Sequence, residues 1–277
     1  AEKAELMAFD AFLLLLAAGL AGWIFPELWQ WFSRRRLLHK PLTGDQLRMI
    51  EACLPPWRKM PLKLRQQLLA RIKEFLAEKN FEGCGGLIVT EEIRLAIAAQ
   101  ACLLLLNRKI HCYPKLNTIL VYPTAYRDRQ RHLIGTDQRD ERTKAGESWK
   151  SGNVVLAWDH VLAGVTNYAD GHNVTFHEFA HQLDQERGHA NGSPWLGRRD
   201  GYARWQRVLS QEFAALKGQL ARGEVPPVIH PYAATNAAEF FAVVSEHFFE
   251  QPAALAAAHP ALFAEFARCY RTNPLAW

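Results

Sequence analysis

Apolar residues at Leu64, Leu68, Leu69, Ile72, Phe75 and Leu76, with basic residues between them, give Leu62–Glu78 the period of a helix with one buried face. The same period returns over Tyr202–Leu220, over Ala237–Phe249, which Pro252 stops, and over the closing stretch Pro260–Tyr270. Glu91–Leu106 is apolar on nearly every side, yet too short and alanine-rich for a membrane span, so it predicts a core helix. Three short runs read as strands: Leu87–Val89, Thr118–Tyr122, which Pro123 stops, and Gly152–Trp158. Phe81–Gly86 reads as a turn, and Lys40–Gly44, Gly188–Gly197 and Glu224–Pro231 read as connectors or loops. Residues 126–148 are polar, charged and without a period, the pattern of a long functional or mobile loop. Many helices and few strands predict an α+β domain, mostly helical, with a small mixed sheet.

The head of the chain is different. Ala8–Phe25 is almost wholly apolar and would form a helix about 27 Å long, close to the thickness of a bilayer core. Asp10 shortens the clean part to about 22 Å. Pro26 follows, then Trp29, Trp31 and Phe32, then Arg34-Arg35-Arg36. Aromatic residues at the boundary and arginines beyond it are how a membrane anchor ends, with the arginines and all that follows on the cytoplasmic side. A cleaved signal peptide is a second reading, but Glu2, Lys3 and Glu5 make a poor basic leader and no small-x-small site follows. A soluble helix, packed on the domain or lying at an interface, is the third. The expected division is an N-terminal apolar helix over residues 1–36 and a larger domain over 37–277.

Composition narrows the class. At 277 residues and 49% hydrophobic, the chain can bury a substantial core. The net charge of +5 gathers at Arg34–Arg36 and over residues 127–142. No nucleic-acid signature accompanies it, so it reads as solvated surface and a membrane-flanking cluster, with no nucleic-acid partner. The five cysteines are odd in number and include no Cys-x-x-Cys, which fits a reducing compartment better than a disulfide framework.

Chemistry enters at Val174–Asp184. His177 and His181 stand four apart on an apolar helix and leave the same face, so both imidazoles can grip one ion. Glu178 sits about 100° further round, beside such an ion, where it can take a proton from water. The alternative makes the two histidines hydrogen-bonded core residues and Glu178 a solvated charge. A catalytic zinc needs a third protein ligand. Arg187 stands where the His-x-x-Gly-x-x-His peptidases place theirs, which excludes that class. Asp184 reads either as a partner for a ligand histidine's second nitrogen or as an ordinary exposed carboxylate. His189, in a glycine-rich loop, reads as surface. Glu239 is a carboxylate near the start of an apolar helix, where a cation is its natural partner. Asn236-x-x-Glu239 also fits a capping box, and Glu246, seven residues on, is the rival ligand. Tyr232 lies just before this helix and reads either as a donor to an oxyanion or as a packed tyrosine.

Several blocks together carry a family resemblance: Phe81–Gly86, Ile97–Cys102, Gly146–Trp149, His177–Asp184 and Tyr232–Val243. The sequence resembles the Mlc titration factor A family of zinc metallopeptidases, from about residue 45 to the end. The metal helix alone is shared with many zinc peptidases, and the Tyr232–Val243 block is much more specific. The resemblance implies a zincin-like fold similar to the anthrax lethal factor catalytic domain. It implies one Zn²⁺ per chain on His177, His181 and Glu239, with Glu178 as catalytic base and Tyr232 assisting. It also implies a cytoplasmic peptidase with aminopeptidase activity, acting on peptide or protein substrates. The best-known member binds the glucose-regulating repressor Mlc, so a transcriptional repressor is a further expected partner. The chain departs from the family at its head, because the apolar Ala8–Phe25 stretch is absent from the soluble enterobacterial form. That leaves a tether to the inner face of the membrane as the expectation for localisation. The alternative function is a regulatory binding protein that sequesters a repressor and uses zinc mainly for shape.

Overall fold

The computed structural model describes residues 40–108, 112–124, 152–188, 190–197 and 199–277, with the backbone alone at Arg187, Arg199 and Asp200. The chain divides into two units, Ala1–Leu42 and Thr43–Trp277. The apolar stretch Ala8–Phe25, the arginines at 34–36, the polar stretch 126–148 with the Gly146–Trp149 block, and His189 all lie outside the described residues. Among the described residues, no helix is long and apolar enough to cross a membrane.

The second unit begins with α1 (Gly44–Cys53) and α2 (Leu62–Glu78), followed by β1 (Asn80–Gly83) and α3 (Glu91–Leu103). Next come β2 (Thr118–Tyr122), β3 (Asn153–Ala157), α4 (Trp158–Thr166) and α5 (Val174–Asp184). It closes with α6 (Arg199–Ala221), a 3₁₀ turn Pro231–Ala234, α7 (Ala237–Glu250), α8 (Pro252–Ala258) and α9 (Pro260–Tyr270). Thr43 starts α1 with a capping box, exchanging hydrogen bonds with Gln46 in both directions.

The sheet differs from the sequence expectation in three ways. Among the described residues its three strands run in the order β1-β2-β3 and both pairings are parallel, where the sequence predicts a mixed sheet. Parallel neighbours need a long crossover; α3 lies in the one between β1 and β2. The first strand is Asn80–Gly83, not Leu87–Val89. Phe81 pairs with Ile119 and Gly83 with Val121, inside what reads in the sequence as a turn. After Gly83 the chain doubles back so sharply that a Cβ there would stand 1.9 Å from the Leu87 carbonyl oxygen. Only glycine fits, and Leu87–Val89 is carried past the sheet with Ile88 82% exposed. The third strand ends one residue early, because Trp158 opens α4.

α3 is the core helix that its composition predicts, buried without a break from Leu95 to Leu103. The aromatic rings form two groups. Phe75, Tyr113 and Phe179 join α2 to α5, with Phe179 4.9 Å from Tyr113 and 5.6 Å from Phe75. Trp205, Phe241, Phe248, Phe266 and Tyr270 pack α6, α7 and α9 together, all fully buried. Each such side chain contributes about 1.5–3 kcal/mol by leaving water. The two groups hold α5 and α7 rigidly from behind.

Candidate metal centre

Two asparagines set the helices that carry the site. Asn173 has extended backbone and its side-chain oxygen accepts the Phe176 N–H at 3.0 Å, starting α5. Asn236 does the same for α7, accepting from Ala238 at 2.9 Å and Glu239 at 3.0 Å. The Glu239 carboxylate turns toward α5 rather than back to the start of its own helix.

It meets both imidazoles there. Glu239 Oε2 lies 3.1 Å from His177 Nε2 and 3.5 Å from His181 Nε2, and the two Nε2 atoms are 3.1 Å apart. Four ligands at about 2.0–2.1 Å around a tetrahedral zinc would stand about 3.3 Å from one another. The three atoms thus mark out one face of such a tetrahedron, and this donor set fits a divalent ion. His181 is 1% exposed, while the His177 and Glu239 side chains keep 15% and 13% of their surface. The site is thus buried on one side and reachable from the other.

Glu246, the rival ligand in the sequence, goes to the opposite edge of the His177 ring. Its Oε1 lies 2.8 Å from Nδ1, so Nδ1–H donates and Nε2 is the nitrogen left to face an ion. Its Oε2 accepts the Asn173 N–H at 2.6 Å. Glu250, one turn further along α7, accepts from Asn173 Nδ2 at 2.9 Å and from the Gly171 N–H at 3.0 Å. Glu239, Glu246 and Glu250 form one stripe on α7, spaced by seven and four residues. Asn173 is the point at which that stripe grips α5. The sequence reading missed Glu250; its signal was a third carboxylate in register on an otherwise apolar helix.

The charges are strongly coupled. Burial disfavours a charged His177, but hydrogen bonds to Glu239 and Glu246 outweigh it and hold the imidazole well above the ordinary histidine range. Burial would raise Glu239, yet hydrogen bonds to His177 and His181 win and pull it well below the usual carboxylate range. Glu250 is pushed up to about 8 by burial and by Asp170 and Glu246, against its bonds from Asn173 and Gly171.

Glu178 is half-buried on α5 beside His177. Tyr232 sits on the 3₁₀ turn Pro231–Ala234, with its ring 6.1 Å from that of His177 and inclined by 37°. Asp184 is not an exposed carboxylate: it is 1% exposed and accepts the N–H groups of Gly192 and Ser193, both at 2.7 Å. It ties the loop after α5 to that helix.

A family model described as glucose-regulated metallo-peptidase M90 matches residues 28–271. The chain belongs to this family. It is 30% identical over 253 residues to Mlc titration factor A of Serratia proteamaculans, covering 90% of this chain and 94% of the relative. The Yersinia pestis protein of the same name is 31% identical over 217 residues, covering 76% and 79%. An uncharacterized protein of Synechocystis sp. is 40% identical over 272 residues, covering 96% and 98%. Membership in a metallopeptidase family and a His/His/Glu cluster in the fold point the same way, to a metal-dependent enzyme.

Proposed function

We propose that this chain is a zinc-dependent peptidase of aminopeptidase type, with His177, His181 and Glu239 as the ligands of one Zn²⁺. The reading is carried by the convergence of three donor atoms, 3.1–3.5 Å apart, two of them on the helix that also bears Glu178. A bound zinc ion supplies Lewis acidity toward a peptide carbonyl and lowers the pKa of a water to about 7. Glu178 takes the proton of the attacking water and hands it to the leaving amine. The Tyr232 hydroxyl donates to the carbonyl oxygen as negative charge gathers on it. Glu246 fixes the His177 ring through Nδ1. β3 is an edge strand among the described residues, and an extended peptide pairs with it by main-chain hydrogen bonds.

The test is zinc content together with hydrolysis of a panel of peptides, comparing wild type with Glu178→Gln. The variant should keep its zinc and its fold and lose activity by about a hundred-fold or more. Equal hydrolysis by the two proteins would contradict the assignment. Free-amino-terminal peptides should be cut and their acetylated forms spared; the reverse would make the enzyme an endopeptidase.

A second reading takes its support from the relatives, which are named as titration factors of Mlc. In that reading the chain binds a transcriptional repressor, with zinc mainly shaping the surface. A cellular phenotype that survives Glu178→Gln would favour it.

A further inference from the structure

The loop before α5, the 3₁₀ turn of Tyr232 and the end of α7 are joined by a directed run of hydrogen bonds. Gln251 Nε2 donates to the Ala169 carbonyl at 2.7 Å, which fixes the orientation of that amide. Its Oε1, an acceptor only, lies 3.1 Å from His247 Nδ1, so Nδ1 carries the proton. His247 Nε2 is then the bare nitrogen, and the His230 N–H donates to it at 3.4 Å. His230 Nδ1 in turn accepts the Tyr232 N–H at 3.3 Å. Pro231 has no N–H, so the Tyr232 amide is the first donor of the turn that needs a partner. The fit around His247 is tight. Gly171 has φ +80°, and a Cβ there would stand 2.3 Å from the imidazole Cε1 and Nδ1.

We propose that His247 and His230 are positioning residues for Tyr232. As neutral imidazoles they act as consecutive acceptors that hold the Pro231–Ala234 turn and aim the Tyr232 ring, and protonation of either one releases it. The proposal rests on the reading of Tyr232 as the oxyanion donor. Protonated Nε2 of His247 would face the His230 N–H donor to donor, and protonated Nδ1 of His230 would face the Tyr232 N–H in the same way. Burial holds both rings below the ordinary histidine range. The His172 ring, 4.8 Å from that of His230, pushes both further down. Glu246 pulls both up, and Gln251 does so for His247. Asp170 and Glu250 are the other charged groups of the loop and helix packed here. The turn is therefore held at neutral pH and loosens only as pH falls through these lowered values, under the ordinary histidine value of about 6.5.

The experiment uses the full-length, zinc-loaded chain with His230→Ala and His230→Asn. Asparagine supplies a side-chain acceptor without a proton equilibrium. His230→Ala should lower kcat about ten-fold or more with KM within about two-fold and zinc content unchanged. His230→Asn should recover most of that loss and shift the acid limb of the kcat profile. In the substrate-free protein, the Tyr232 amide resonance should move as pH falls from about 7 to about 5 in wild type and move less in His230→Asn, where only His247 still titrates. Wild-type kcat in His230→Ala, no recovery in His230→Asn, or a Tyr232 amide that does not titrate in wild type would each overturn the proposal. The amide is read without substrate. A still amide in an active enzyme sinks this proposal alone, whereas a titrating amide in a wild type that cuts no peptide sinks the peptidase reading and leaves the two acceptors standing.

Discussion

His177 is held at both ring nitrogens by carboxylates of one helix, Glu246 at Nδ1 and Glu239 at Nε2. Only the second can share an ion with it. Glu246→Gln keeps the shape but weakens the bond that sets the tautomer. It should reduce zinc affinity about 10- to 100-fold in a competition titration against a chelator; an unchanged affinity would remove Glu246 from the account. The same two carboxylates predict how stripped protein responds to pH. His177 is raised in the fold, so its stabilisation is complete below about pH 6.5 and is lost as pH rises through its folded value. Glu239 is lowered, so its stabilisation is complete above about pH 4.3 and is lost as pH falls through its folded value. Zinc-free protein should therefore be held best by this pair between those limits. Unfolding curves of chelator-treated wild type and Glu239→Gln should diverge most in that window; parallel pH profiles would contradict it. At this scale the sequence was informative, because an apolar helix that spends positions on histidine or glutamate must give them partners. It favoured Glu239, near the start of the helix, but left Glu246 as a rival, since both lie on one face; the register of α7 against α5 brings Glu239 to the imidazoles, and that is tertiary.

α5 and α7 are clamped together at Asn173, which caps one helix and is held by two carboxylates of the other. Asn173→Ala loses the cap and leaves Glu250 Oε1 without its amide partner. It should cost about 2 kcal/mol or more and lower the melting temperature by about 4–8 °C. A change under 1 °C by calorimetry would show that the clamp carries no weight. Leu62–Glu78 and Pro260–Tyr270 were legible in the sequence to the residue, because each buries one continuous stripe, whereas α3 ends three residues before the expected Leu106 and α6 begins three before the expected Tyr202. β1 was not. Its four residues, Asn80–Gly83, include only one buried-type side chain, Phe81, and alternation over so short a span gives no signal. Leu87–Val89 looked more like a strand because it is apolar, but Gly83 and the reversal after it deny those residues a neighbour.

Across the whole unit from Thr43 to Trp277, the aromatic packing behind α7 is what makes a charged stripe on that helix tolerable. Phe241 is fully buried against Trp205, Phe266 and Tyr270, on the side of α7 away from the carboxylates. Phe241→Ala should cost about 3–5 kcal/mol in denaturant unfolding, and zinc should recover part of that loss by binding only the folded state. A loss below about 1 kcal/mol would mean that α7 is held some other way. Fold class was legible because few strands stand among many helices. The direction of the strands was not, since parallel pairing depends on where the crossovers run and no local pattern encodes that.

The most direct measurement of the central claim is anomalous diffraction at the zinc edge from crystals of the zinc-loaded chain. The account predicts one strong peak about 2.0–2.2 Å from His177 Nε2, His181 Nε2 and a Glu239 carboxylate oxygen together. A peak bound by any other set of side chains, or none in protein shown to carry zinc stoichiometrically, would contradict it.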